Sequence, residues 1–156
     1  MVAKFAKAFA AAGLLAVAFT ATPLIADNES GFVRLAPDEL DWQELAPGLF
    51  IAVLEGDPGK EGFYIIRARF SAGTFSAPHF HPNDRYVTVI SGTWWTGTGT
   101  TWDKDSSVPL TPGSYMKHPG GAAHYDGSRD EEVVVQITGM GPAPLVYVNA
   151  AGDPID

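Results

Sequence analysis

Cysteine is absent from this chain of 156 residues. Without thiols the protein can form no disulfide bond, and it has no thiolate to serve as a nucleophile or as a metal ligand. Covalent catalysis and metal binding, if the protein performs either, must therefore use oxygen and nitrogen groups.

Positive charge is scarce as well. The chain carries 10 Lys and Arg against 18 Asp and Glu, for a formal net charge of -8. A chain this acidic, with no basic stripe, is a poor partner for phosphate backbones and for anionic lipid surfaces. We therefore expect no nucleic acid among its partners.

Several catalytic motifs are also missing from the sequence. It contains no glycine-rich phosphate loop before a helix, no Gly-x-Ser-x-Gly elbow and no His-Glu-x-x-His helix. It also has no internal repeat and no coiled-coil heptads. These absences argue against a nucleotide-binding, a serine-hydrolase and a zincin interpretation.

The amino terminus is typical of a secretory signal peptide. Lys4 and Lys7 precede an apolar run over residues 8–19, and Pro23 to Ala26 offer a cleavage point before Asp27. The run is short for a stable membrane anchor, which is the alternative interpretation. We expect residues 1–26 to be removed and the protein to be exported, periplasmic or secreted, with no membrane partner afterwards. Cleavage would remove two lysines, leaving 8 basic against 18 acidic residues and a net charge of -10.

The rest of the chain is patterned for strands. Residues 63–70 place Tyr64, Ile66, Ala68 and Phe70 on one face, and similar runs end at Gly, Pro or Asp turns. These runs cover residues 49–54, 85–90, 94–98, 115–118, 131–138 and 145–148. A weak helical signal lies at residues 37–44. Many short strands predict an all-β sandwich or barrel, with an N-terminal extension at 27–48, the barrel at 49–150 and a C-terminal tail at 151–156.

Three histidines stand where one metal ion can bind them. His79 and His81 alternate along a strand and so share a face, and His124 follows a turn built from Pro119, Gly120 and Gly121. Three imidazoles suit one divalent transition metal, Fe, Mn, Ni, Cu or Zn, and leave coordination positions open for a substrate. The competing interpretation is a pocket without metal.

The spacing of these residues resembles the two motifs of the cupin superfamily. The first motif is matched by Gly73, His79, His81, Arg85 and Gly92, separated by five, one, three and six residues. The second is matched, with separations of five, one and two residues, by Gly113, Pro119, Gly121 and His124. The resemblance spans residues 49–148, and it implies a single-domain antiparallel jelly-roll β-barrel with its pocket at the histidines.

Arg85 departs from the family pattern, which has Glu at this position, often as a fourth metal ligand. A guanidinium offers only donors and carries positive charge, so it cannot replace a carboxylate ligand. The three histidines could bind metal while Arg85 clamps an anionic substrate, the site could be weakened, or it could hold no metal. Cupin dioxygenases that bind iron through three histidines make the first interpretation consistent with the resemblance. We expect Arg85 to face the pocket, the alternative being a position at the barrel rim.

Other polar and aromatic residues are candidates for the pocket. Asp126 shares a strand face with His124 and could serve as a general base, and His118 could serve as an acid or base, although we favour a structural or surface role for it. For substrate binding the candidates besides Arg85 are Trp94, Tyr64 and Gln136, each with core packing or surface exposure as the simpler interpretation.

The function implied by the resemblance is that of a metal-dependent enzyme, with dioxygenase-like oxidation of a small, anionic organic molecule first and lyase or isomerase chemistry second. The alternative is a non-enzymatic protein that binds a small ligand or a metal, because a fold does not fix a function. Two barrels could also pair through their outer strands as a homodimer.

Overall fold

The computed structural model describes residues 31–155, so the predicted signal peptide lies outside the described part of the chain. A short 3-10 helix, Pro37–Glu39, precedes the strands. The strands are β1 (Gln43–Ala46), β2 (Leu49–Glu55), β3 (Gly62–Phe70), β4 (Phe75–Phe80), β5 (Arg85–Ser91), β6 (Trp94–Thr98), β7 (Val108–Leu110), β8 (Tyr115–His118), β9 (His124–Gly127), β10 (Val133–Gly141) and β11 (Val146–Tyr147).

These strands form two antiparallel sheets. One has six strands in the order β1-β2-β3-β10-β5-β8, and the other has five in the order β11-β4-β9-β6-β7. Strands distant in sequence become neighbours, such as β4 with β9 and β10 with both β3 and β5. This arrangement confirms the predicted all-β jelly roll.

The core lies on the inner faces of the strands. Residues 64–70 of β3 and 133–140 of β10 alternate between buried and more exposed positions, as a half-buried strand requires. The buried apolar cluster consists of Leu49, Ile51, Tyr64, Ile66, Ala68, Phe70, Val87, Val89, Trp94, Val133, Val135 and Ile137. The sheet carrying most of these residues therefore provides an apolar wall beside the histidines.

Two elements differ from the sequence prediction near the amino terminus. The helical signal at residues 37–44 shrinks to the single 3-10 turn, and β1 forms within the predicted N-terminal extension. β1 pairs with β2, with Gln43 opposite Ile51. Pairing with an existing strand edge outweighs the weak local helix preference of this segment.

Glycines end strands where the backbone turns sharply. Gly73 follows β3 with a φ of 81°, and Gly92 follows β5 with a φ of 71°. A Cβ on Gly92 would overlap the Glu132 carbonyl oxygen, so the close approach of the two backbones at this position also requires glycine.

Over residues 31–155, none of the helical segments is long and apolar enough to cross a membrane.

Candidate metal centre

His79 and His124 meet across a strand pair. His79 on β4 stands directly opposite His124 on β9 in the antiparallel register, and their ring centroids lie 4.4 Å apart. His81 follows β4 by one residue, and its ring centroid is 5.1 Å from that of His79 and 5.7 Å from that of His124. One nitrogen of each of the three rings lies within 4.8 Å of the others. The structure thus brings together all three histidines of the predicted metal site.

The turn at residues 119–122 holds His124 in place. Its amides are tied to the loop after β4, because Gly121 N–H donates to the His81 carbonyl at 2.8 Å and Gly120 N–H donates to Asp84 Oδ1 at 2.8 Å. Asp84 also pairs with Lys117 at 2.6 Å. Asp84 therefore anchors the turn and does not belong to the candidate metal ligands.

Backbone carbonyls fix the orientation of each ring in the triad. Nδ1 of His79 lies 2.7 Å from the Ala77 carbonyl oxygen, Nδ1 of His81 lies 2.9 Å from that of Pro144, and Nδ1 of His124 lies 3.0 Å from that of Ala122. A carbonyl oxygen can only accept, so each Nδ1 carries the proton and each Nε2 keeps its lone pair. Fixing the tautomer in this way is what outer hydrogen bonds do in metal sites.

Burial keeps the triad neutral. It lowers the pKa of His81 to about 2, helped by the Arg85 guanidinium, and it lowers the pKa of His124 to about 4, opposed by Asp126. The pKa of His79 is lowered for the same reason, again opposed by Asp126. Neutral imidazole is the form that binds metal, so the ligands need release no proton near neutral pH.

Arg85 points into the site from β5. Only 8% of the residue is exposed, and its Nη1 donates to the Nε2 of His81. Its Nε finds no hydrogen-bond acceptor within residues 31–155. Burial lowers the pKa of Arg85, opposed by Tyr64 and Asp126. The structure places Arg85 in the pocket rather than at the rim, as we expected.

Asp126 and Arg85 lie at the polar end of a cavity. The cavity has a volume of about 320 Å³ and is bounded mainly by apolar side chains. Its polar lining consists of Ser76, His79, His81, Arg85 and Asp126, and its apolar lining includes Leu45, Leu49, Ile51, Ile66, Ala68, Phe70, Ile137, Ala143 and Leu145. Asp126 is 4% exposed, and its Oδ2 lies 3.9 Å from the Nε2 of His124. Such a cavity suits a small molecule with an apolar body and one polar end.

His118 is buried beside the triad. The sequence favoured a structural or surface role for it, and its burial rules out the surface position. The residue ends β8, is 2% exposed, and stands opposite Arg85 in the register of β5 and β8. Its ring centroid lies 3.7 Å from that of His124. The sequence placed His118 outside the family motif, and only the strand alternation of β8 could have indicated that it faces inward.

Three candidate substrate-binding residues lie away from the cavity lining. Trp94 is 1% exposed and packs in the core, 5.6 Å from the His118 ring. Tyr64 is fully buried in the core. Burial raises the pKa of Tyr64, and the Arg85 guanidinium opposes this shift. Gln136 is a correction: it lies on the outer face of β10, while its neighbour Ile137 faces the cavity. The outward position lets the Gln136 amide reach water, so no internal partner is needed.

The donor set fits a divalent transition ion. One nitrogen of each ring converges with the others, and Nε2 is the nitrogen that the backbone carbonyls leave free. The Nε2 of His124 has no hydrogen-bond partner among the described residues, whereas the Nε2 of His81 accepts a hydrogen bond from Arg85. An ion at the triad would therefore have to replace this hydrogen bond.

The fold and the histidine cluster define a cupin. The chain belongs to the family described as the ChrR Cupin-like domain, whose model matches residues 30–144. The match extends from before β1 through β10 and includes every residue of the candidate metal centre.

Solved structures with the same fold have low sequence identity to this chain. The polyketide cyclase RemF from Streptomyces resistomycificus is 18% identical with a TM-score of 0.63, covering 75% of this chain and 85% of its own. A cupin-superfamily sugar phosphate isomerase from Silicibacter pomeroyi is 19% identical with a TM-score of 0.58, and the match covers 74% of this chain and 81% of the isomerase chain. A chain from the structures of the DMSP lyases RdDddP and RnDddQII is 14% identical with a TM-score of 0.57, and the match covers 71% of this chain and 63% of the lyase chain. These likenesses support the fold.

No curated protein matches the sequence.

Proposed function

We propose that this protein is an exported, metal-dependent cupin enzyme that oxidises a small organic anion with molecular oxygen. The observation that carries the proposal is the convergence of one nitrogen from each of three buried histidines, two of which, His79 and His81, line the polar end of a mainly apolar cavity. Three-histidine binding without a carboxylate is the ligand pattern of the cupin dioxygenases that the sequence resembles.

A bound divalent ion would supply redox or Lewis-acid chemistry at its open coordination positions. The residues around it perform the binding. Arg85 offers a planar pair of N–H donors that suits a carboxylate, and its positive charge is buried where water screens it little. The apolar lining from β2, β3 and β10 would hold the body of the substrate and exclude water from the polar end.

Asp126 supplies a proton acceptor at the same end of the cavity. Its carboxylate lines the cavity with Arg85 and His79, so a substrate bound through Arg85 would lie beside it. Removal of a proton next to a carbonyl or carboxylate group would create the electron-rich carbon that oxygen attacks. Both atoms of dioxygen would enter the product, so the reaction needs no external reductant.

A lyase or isomerase is the second candidate, and the position of Asp126 favours it. A buried carboxylate beside a cationic anion clamp can remove a proton and return it elsewhere without any oxidant. The isomerase and the lyases that share the fold are consistent with such chemistry.

Oxygen consumption tests the proposal directly. The Fe(II)-loaded protein is mixed anaerobically with a panel of branched-alkyl and aryl carboxylates and then exposed to oxygen in an electrode cell. We expect consumption with at least one carboxylate, incorporation of both ¹⁸O atoms, and a loss of about 100-fold or more in Asp126→Asn. Asp105→Asn, an exposed aspartate outside the cavity, is the matched control.

Two outcomes would contradict oxidation. Product formation under strict anaerobiosis would favour the lyase or isomerase. Tight carboxylate binding with no turnover under either atmosphere would favour a non-enzymatic binding protein.

Export is part of the proposal and is supported by the amino-terminal sequence. Expression of the full chain in a bacterium with a periplasm should yield a soluble periplasmic protein beginning at Asp27, measured by intact mass. A protein that retains residues 1–26 in the cytoplasmic or membrane fraction would contradict it.

A further inference from the structure

His118 is a buried imidazole with unsatisfied nitrogens. It is 2% exposed, and neither Nδ1 nor Nε2 has a hydrogen-bond partner among residues 31–155. The three other histidines each have Nδ1 bound to a carbonyl, so His118 stands apart from them. A buried polar atom without a partner destabilises the fold, and native proteins rarely retain one without a use for it.

The ring of His118 packs against one histidine of the metal centre. Its centroid lies 3.7 Å from that of His124, and the two ring planes are inclined by 35°. A nitrogen of His118, a nitrogen of His124 and a carboxylate oxygen of Asp126 all lie within 4.8 Å of one another. His124 belongs both to this group and to the triad, so it connects His118 to the metal centre, and a small shift of the His118 ring past His124 would bring it to the same ion.

The strand register places His118 beside the position where the chain lacks a carboxylate ligand. Arg85 occupies that position on β5, and His118 is its direct cross-strand neighbour on β8. Arg85 itself donates to His81 and leaves His118 unpaired. A neutral nitrogen at this place can do what a guanidinium cannot, since it offers a lone pair to a cation.

We propose that His118 is the fourth ligand of the metal ion bound by His79, His81 and His124, in place of the carboxylate that Arg85 displaces. This inference rests on the metal centre of the proposed function. Four neutral ligands leave the full positive charge on the ion, and Arg85 adds to it. The site would therefore favour anionic ligands more strongly than a site with a ligating carboxylate, and its nitrogen ligands would disfavour Mg²⁺ and Ca²⁺.

X-ray absorption on the Zn-loaded, untagged protein counts the imidazoles directly, and chelator competition measures Zn²⁺ affinity. His118→Phe keeps a ring of similar shape but removes both nitrogens. Trp94→Phe, which changes the other neighbour of that ring, is the matched control. We expect four imidazoles in wild type and Trp94→Phe, three in His118→Phe, and a Zn²⁺ Kd at least ~10-fold weaker in His118→Phe alone.

The outcomes separate this inference from the metal centre itself. Three imidazoles in wild type, or an unchanged Kd in a folded His118→Phe, would overturn the role of His118 and leave the triad standing. Failure of wild type to take up Zn²⁺, Fe²⁺, Mn²⁺, Ni²⁺ or Cu²⁺ would overturn both. If His118→Phe does not fold, judged by circular dichroism, the imidazole count in wild type still decides the question.

Discussion

At the scale of single residues, Arg85 is the cation of the candidate metal centre. Its guanidinium lies in the pocket and donates to His81, so it occupies a histidine lone pair that a metal ion would need. In the proposed function, an ion that takes this lone pair would release the guanidinium to bind an anion. Metal binding and anion binding would then be coupled through Arg85.

Replacement of Arg85 by Glu should reverse both effects. Arg85→Glu removes the competing donor and adds a carboxylate, so metal binding should tighten by at least ~10-fold, measured by chelator competition. Carboxylate binding, followed by calorimetry, should fall below detection because the local charge is reversed. Arg67→Glu makes the same charge change on the outer face of β3 and serves as the control. Unchanged carboxylate affinity in Arg85→Glu would show that Arg85 does not bind the anion.

Buried neutral histidines also predict how stability depends on pH in the metal-free protein. The folded pKa values of about 4 for His124 and about 2 for His81 lie below the ordinary value of 6.5, so the unfolded chain binds protons first as the pH falls. Stability should be fully present above pH 6.5. It should decline below that pH, by on the order of 3 kcal/mol for His124 alone as the pH falls to 4.

Urea unfolding of chelator-treated protein at pH 7 and pH 5 measures this effect. Wild type should lose more unfolding free energy between the two pH values than the variant with Ala at positions 79, 81 and 124. Other titrating groups are common to both proteins and cancel in the difference. Equal losses in the two proteins would contradict neutral burial of the triad.

At the scale of elements, the turn at 119–122 brings His124 to the other two histidines of the candidate metal centre. Gly120 packs so closely on the preceding loop that a Cβ would overlap the Pro82 carbonyl oxygen. The neighbouring Gly121 has a φ of 76°, which disfavours any side chain. The turn therefore depends on two adjacent glycines for different reasons.

Gly120→Ala should displace the turn and weaken metal binding through His124 without touching a ligand. We expect a loss of ~1–3 kcal/mol in unfolding free energy, measured by urea unfolding, and a weaker Zn²⁺ Kd. Gly59→Ala is the control, because its Cβ would meet only the end of the Asp57 side chain. Wild-type metal affinity in Gly120→Ala would show that the turn tolerates the shift.

The strands are predicted well from the sequence where apolar and polar residues alternate with a strong period of two. β3, β5, β6 and β8 appear within a residue or two of their predicted bounds, because strand alternation and turn residues are local signals. β1, β7 and β9 are short and acquire their structure from neighbouring strands. The candidate site shows the same limit of local signals. The histidine triad could be predicted from the spacing of its residues, whereas the burial of His118 and the anchoring role of Asp84 depend on contacts between β5, β8 and the turn.

At the scale of the whole molecule, apolar side chains remain on the outer face of the six-stranded sheet. Phe63 and Met140 are adjacent in the register of β3 and β10 and are 52% and 54% exposed, and Tyr86 and Ile90 are exposed on β5. We predict that the homodimer forms through this face. Sedimentation velocity should give a dimer for wild type and a monomer for Met140→Glu. Val108→Glu, the same kind of change at an exposed apolar residue of the five-stranded sheet, is the control. A monomeric wild type would contradict the prediction.

The metal content of the mature, untagged protein tests the central claim most directly. After matched dialysis against Fe²⁺, Mn²⁺, Ni²⁺, Cu²⁺ or Zn²⁺, mass spectrometry of the metal should find about one equivalent per chain of at least one of these ions in wild type. The variant with Ala at positions 79, 81 and 124 should retain none of it while remaining folded by circular dichroism. Equal and weak uptake by the two proteins would contradict a metal centre at these histidines.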